Sequence, residues 1–235
     1  MKRAKRDLSR SGWGTRRATS HLLYKGTLSR AWDHFPDALL TYHSHTPFMD
    51  AGDPMPDRVL VDAARNWLTM DGLWFLSVER AFGLEHAMEL DKQVWREFSR
   101  IEAERIKRHL ALPEGGGLDA LEQALPARLI SLVNEFVIRR PDAGTLEYFL
   151  PRCRTQDARE RKGFPLFPCR EIGMVEYSVF AATIDPRIRT TCIACPPDPE
   201  PRNFRCGWRF TLRNLKEVTT HPAESGGTRS PQSPG

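Results

Sequence analysis

All five cysteines of the chain lie between Cys153 and Cys206, spaced C-x15-C-x22-C-x2-C-x10-C. Thiolates are soft ligands, and several of them brought together from separate elements select zinc, copper(I) or an iron–sulfur cluster. Cys192 and Cys195 form a C-x2-C hook, a spacing that lets two sulfurs reach one ion. Cys206 lies in a segment expected to pair with the strand of the hook, and Cys169 heads a segment with helical periodicity. Cys169, Cys192, Cys195 and Cys206 are therefore expected to converge on a tetrahedral zinc. An iron–sulfur cluster held by four thiolates, or no metal at all, is the alternative. Free cysteines also serve as small buried hydrophobes. Their confinement to 54 positions of a 235-residue chain argues for a shared task.

A second chemistry belongs to single thiols. Cys169 follows Pro168, and Cys153 precedes Arg154-Thr155, so both are expected at helix N-termini. Unpaired backbone N–H groups and the positive end of the helix dipole stabilise a thiolate there. Either thiol would then act as a nucleophile. Cys153, left over from the metal set, is the candidate catalytic residue. A thiol hydrolase also wants a general base, and His86 and His109 stand in no recognisable motif.

The elements that must position these thiols follow from periodicity. From Arg58 to about Ala111 apolar residues recur at three- and four-residue spacing, with a break at Gly83. Pro113 and Gly115-Gly116-Gly117 end that run. A further helix is expected from Leu118 to Ile138, kinked or split at Pro126. Beyond Gly144 the pattern changes. Thr145–Leu150 reads as a strand, Arg154–Lys162 as a short surface helix, and Arg170–Ile184 as a helix apolar on two sides and hence buried. Ile188–Ala194 and Phe204–Leu212 read as strands, joined by a Pro-rich loop. Trp74, Glu79, Glu176 and Tyr177 carry polar tips among apolar residues and are the candidate pocket lining. Glu79, His86 and Asp91 are weighed between a cavity and the polar face of a helix. Asp71-Gly72 fits a helix start or a turn.

The fold expected is α+β, an N-terminal helical half packed on a small antiparallel sheet with two helices. Residues 1–54 show no sustained period and carry nine Lys/Arg against five Asp/Glu, which is most of the net charge of +5. They are read as a disordered basic extension, with nucleic acid an unlikely partner because the basicity is confined there. Residues 55–213 form the expected domain, helical over 55–140 and Cys-rich α/β over 141–213, and 214–235 an expected disordered tail. No apolar run reaches about 18 residues, so no membrane helix is expected. Cytoplasm is the expected compartment, since odd free thiols without an export signal suit reducing surroundings.

Phe167-Pro168-Cys169-Arg170, a helix carrying Gly173, a strand with Cys192, a loop with Pro and Asp, and Cys206-Gly207-Trp208-Arg209-Phe210 resemble the vinyl-reductase-type domain. That domain is the effector-sensing module of aromatic-responsive transcription activators. The chain is also similar to the aminothiazoline-carboxylate hydrolase-like family, and to an uncharacterised bacterial family with the same Cys-Pro-Pro-Asp signature over Arg58 to Leu212. The sensor resemblance implies zinc on Cys169, Cys192 and Cys206, and a pocket between helices and sheet for a small, largely apolar molecule. The sensors' remaining ligand, a Glu three residues before the strand cysteine, is Arg189 here, which cannot ligate. Cys195 is the substitute we infer. The expected function is a small-organic-molecule-binding domain with a Cys-ligated zinc. The alternative is a thiol- or metal-dependent hydrolase of C–N bonds in a cyclic amide or amidine, and a third is a purely structural or interaction protein.

Overall fold

The computed structural model describes residues 40–43, 54–199 and 203–213. It is an α+β fold, as expected. The long helical run forms α1 (Pro54–Phe82) and α2 (Leu84–His109). Gly83 separates them at φ 88°, a conformation that glycine adopts without steric cost. Trp67 on α1 meets the rings of Trp95 and Phe98 on α2 at 6.0 and 5.4 Å, so α2 runs back along α1.

The helix expected over Leu118–Ile138 is three pieces and part of a strand. α3 (Gly117–Ala124) ends in a 3-10 turn at Leu125–Ala127, where Pro126 cannot continue the ladder. α4 (Leu129–Val133) follows, and β2 begins at Phe136 and runs to Asp142. Helical spacing and strand alternation coincide over so short an apolar run, and the β-hairpin decides it. Asp142 accepts the Gly144 N–H at 2.8 Å in the turn, and β3 (Thr145–Leu150) returns alongside β2.

After β3 come α5 (Arg154–Arg161), α6 (Arg170–Ile184), β4 (Ile188–Ala194) and β5 (Cys206–Leu212), close to the expected spans. The antiparallel sheet also takes β1 (Leu40–His43), in the order β1-β2-β3-β5-β4. β1 pairs with β2 over Leu40↔Arg139 to His43↔Phe136. It falls inside the segment read as an extension, because four residues of an edge strand leave no period of their own. The remainder of residues 1–53, and residues 214–235, lie outside the described residues.

One face of the sheet is covered by α6, and α2 packs along α6. Tyr177, Phe180 and Ile184 of α6 bury against Leu146, Tyr148, Trp208 and Phe210. Tyr177 stacks on Trp208 at 4.7 Å between ring centroids. Gly173 permits this approach, since a Cβ there would stand 2.5 Å from Trp208 Cζ2. On the other face Glu147 is buried between Arg139 and Arg209, whose Nε atoms donate to it at 2.7 and 2.9 Å. Among the described residues no helix is long and apolar enough to cross a membrane.

Asp185 ties the end of α6 to α3. Its carboxylate accepts the Gly117 N–H at 2.9 Å and the Arg187 backbone N–H and Nε at 2.9 and 3.0 Å. The Arg187 side-chain donors, more than burial opposes them, hold its pKa down at about 2. A depressed carboxylate stabilises the fold fully above its unfolded value and less as pH falls towards its folded one. Asp185→Asn should cost about 1–3 kcal/mol at neutral pH by urea unfolding, as for loss of charge-assisted hydrogen bonds. The gap between variant and wild type should close as pH falls from about 4 towards 2.

Candidate functional site

Cys169 is the residue before α6, at φ −77° and ψ 0°, and its carbonyl accepts the Gly173 N–H at 2.8 Å. The approach to it is clamped by the buried Gln156 of α5. Gln156 Nε2 donates to the Phe167 carbonyl at 2.7 Å and to Cys169 Sγ at 3.4 Å, while its Oε1 accepts the Phe167 N–H at 2.9 Å. Cys195 follows β4 in the Pro-Pro-Asp turn. Asp198 Oδ2 accepts the Cys195 N–H at 3.0 Å, and Asp198 also pairs with Arg170 at the start of α6. The Arg170 N–H donates to the Pro196 carbonyl at 3.2 Å. The turn is thus docked on the N-terminus of α6, with Cys195 Sγ 3.3 Å from Cys169 Sγ.

Cys192 and Cys206 are near enough to Cys195 to act on its thiol. β4 carries an irregularity between Cys192 and Ala194 that re-aims the end of the hook, and Cys206 opens β5 opposite Leu150. The four expected residues therefore meet around the sulfur of Cys195. Their neighbourhood divides the thiols sharply. The other three sulfurs, Cys169 first, and then burial push the Cys195 thiol up. The hydrogen bond from Cys195 pulls Cys169 down, burial opposes, and the Gln156 amide helps.

The donor chemistry suits zinc, since sets of four cysteines are ordinary structural zinc ligands. The spacing is that of thiols packed on one another. Two thiolates on one zinc at about 2.3 Å stand about 3.8 Å apart, and Cys169 and Cys195 are closer than that. Among the described residues no group of three or more His, Cys, Asp or Glu is spaced to hold a metal ion. Arg189, which cannot ligate a metal, lies exposed on β4 opposite Thr211.

Cys153 precedes α5 and lies near Cys206 and Cys169, but burial pushes its thiol up to about 12. The expected activation by the helix terminus is outweighed by desolvation, which penalises the thiolate. Burial thus works against a thiolate at Cys153, whereas the hydrogen bond from Cys195 favours one at Cys169.

A cavity of about 410 Å³ opens beside the thiols, within the size range of small-molecule sites. Cys153, Cys169, Cys195 and Cys206 share its wall with α1, α2, α5 and α6. Of the four candidate pocket residues, Glu176 and Tyr177 stand in its wall, and Trp74 and Glu79 do not. On α1 the stripe Leu68, Asp71, Gly72 and Phe75 faces the cavity, and Trp74 falls off that stripe and is 68% exposed. Glu79 is engaged by Arg159 of α5 at 2.9 and 3.1 Å. His86 is exposed, whereas Asp91 is in the wall.

Asp71 lies in the body of α1, not at a helix start or turn, and it too lines the cavity. Burial raises it to about 6. Asp91 is raised to about 8, first by burial and then by the charges of Asp71 and Glu176, against a hydrogen bond from Trp95. Burial likewise raises Glu176 to about 7, against the pull of Arg128. Apolar flanks concealed Asp71, and nothing local marks Arg128, Gln156 or Trp208 as site residues.

Arg128 has no exposed surface. Its Nε donates to Glu102 Oε2 at 2.9 Å, its Nη2 stands 2.9 Å from Glu176 Oε1, and its guanidinium lies over the Phe180 ring at 4.4 Å. Burial works against its charge, but Glu102 and Glu176 hold it protonated. Arg128→Met should destabilise the protein by about 3–5 kcal/mol, the usual cost of stranding buried partners. Adding Glu102→Gln and Glu176→Gln should recover most of that loss in urea titrations. Equal instability of the triple variant would show that packing, not charge, is at stake.

Neither the curated proteins nor the solved structures contain a match to this chain. The pattern described as "Family of unknown function (DUF6125)" matches residues 56–212, from the third residue of α1 to the last of β5, and so spans both the cavity and the thiols. With most of its length covered by that pattern, the chain belongs to the family DUF6125.

Proposed function

We propose that the chain is a small-organic-molecule-binding protein in which Cys169, Cys192, Cys195 and Cys206 hold a zinc ion at the edge of the cavity. The observation that carries this reading is the meeting of four thiols around Cys195, three of them in the wall of a cavity of about 410 Å³. Zinc binding would deprotonate the sulfurs and spread them by a few tenths of an ångström, within reach of a turn held by Asp198. The resemblance to vinyl-reductase-type sensor domains supports the same pairing of a thiolate zinc with a pocket between helices and sheet. Reduced thiols suit the cytoplasm. Native mass spectrometry of protein purified without added metal should show one zinc per chain. Cys195→Ser should weaken zinc binding by more than the roughly 10–100-fold typical of an outer-shell loss. A zinc-free chain, or a Cys195→Ser variant with wild-type zinc affinity, would overturn the metal assignment.

A second reading rests on the place of Cys169, in the cavity wall directly before α6 and in contact with Cys195, which favours its thiolate. In that reading the chain is a hydrolase of a cyclic amide or amidine related to the aminothiazoline-carboxylate hydrolase-like proteins, with Cys169 in place of Cys153 as nucleophile. Iodoacetamide on metal-stripped protein at pH 7.5 should then label Cys169 first and Cys153 last, as read by peptide mass mapping. Equal, slow labelling of all five thiols would remove the nucleophile.

A further inference from the structure

We propose that the occupant of the cavity is a small organic cation, its charged nitrogen seated against Asp71, Asp91 and Glu176 and its apolar body against Phe75, Trp95 and Ile172. This rests on reading the cavity as a ligand site and is independent of the zinc.

Three helices each send one carboxyl group to this wall, Asp71 from α1, Asp91 from α2 and Glu176 from α6. The charges of Asp71 and Glu176 raise Asp91, and that of Asp71 raises Glu176. Of the two buried cations near this wall, Arg128 is shared between Glu102 and Glu176, and Arg159 belongs to α5. The other bases of the cavity wall are spent or solvated. Arg65 pairs with Asp62 and Arg159 with Glu79, while Arg154, Arg161 and Lys162 are exposed on or beside α5. Glu176 has Arg128 as its counter-ion, but Asp71 and Asp91 take part in no ion pair among the described residues. Carboxyl groups in apolar surroundings without counter-ions are costly to ionise, and a bound cation removes that cost.

Two buried polar atoms of the wall lack a directed hydrogen bond, and of these only the Glu176 oxygen, an acceptor, could take a proton from a bound cation in a hydrogen bond, the Trp208 N–H being a donor. Glu176 is 9% exposed, and its Oε1 takes no directed hydrogen bond although Arg128 Nη2 stands 2.9 Å away as an ion pair. Trp208 is 1% exposed, lines the cavity, and its indole N–H has no acceptor. Asp71, Asp91 and Glu176 are not spaced to ligate a metal ion together. An organic cation needs only proximity of charge and an apolar surface for its body.

The test uses the full chain and three probes of similar shape, benzylamine, benzyl alcohol and benzoate, titrated by calorimetry at pH 7.5. Benzylamine should bind about tenfold or more tighter than benzyl alcohol, equivalent to about 1.4 kcal/mol, and benzoate weakest. Asp71→Asn/Asp91→Asn should cut that preference to within about threefold and leave benzyl alcohol unchanged. If the double variant does not fold, Asp91→Asn alone should at least halve the preference. Benzyl alcohol binding as tightly as benzylamine, or a preference that survives both variants, overturns the cation assignment while keeping the pocket. Failure of all three probes to bind overturns the pocket reading itself, whatever the zinc content.

Discussion

A guanidinium with no exposed surface stands at the junction of three parts of this fold, and its two carboxylate partners make its burial tolerable. Arg128 sits just before α4, Glu102 on α2 and Glu176 on α6. Glu102 also accepts the Leu129 N–H at 3.0 Å, so the same carboxylate holds the first turn of α4. Removing a charge of either sign would strand the other in a low-dielectric interior, which is more expensive than the pair itself is stabilising. The network therefore fixes how α2, α4 and α6 sit, and with them the cavity they enclose. Glu176 belongs to both, since it pairs with Arg128 on one side and lines the cavity on the other.

The thiols depend on a different set of contacts. Cys169 is positioned through the backbone of Phe167, which Gln156 grips at both N–H and carbonyl. Cys195 is positioned through its own N–H by Asp198, and the turn is fastened to α6 by Arg170. Neither thiol relies on its sulfur for placement. Such a preformed arrangement leaves the sulfurs available for an ion or for chemistry, and it explains how thiols from the start of α6 and from two strands meet without a disulfide. Gly173 and Trp208 complete the geometry, because the close approach of helix to strand draws the start of α6 down to the sheet.

The cavity joins two kinds of groups that are costly to charge, the thiols on one wall and the carboxyl groups on another. Burial pushes Cys153, Asp71, Asp91 and Glu176 towards their neutral forms, neighbouring thiols do the same to Cys195, and Cys169 is shifted the other way. A zinc ion and an organic cation, both proposals, would each supply the positive charge that its wall lacks. They would act through separate residues, so one can be present without the other.

Periodicity and punctuation carried much of the architecture. The break at Gly83, the spans of β3, α5, α6 and β4, and the grouping of the thiols are all local signals, because capping, turn chemistry and apolar spacing act within a few residues. The hook and the strand of Cys206 were legible for the same reason. Other features needed partners distant in the chain. Phe136–Ile138 became strand because β3 was there to pair with it, and Leu40–His43 because β2 offered an edge. Trp74 and Asp71 are three residues apart on α1, and only the side from which α2 and α6 approach decides that Asp71 faces the cavity and Trp74 faces solvent. Cys153 shows the same limit electrostatically. Its place before a helix could be read from the chain, but the burial that overrides the helix dipole comes from packing brought in by other elements.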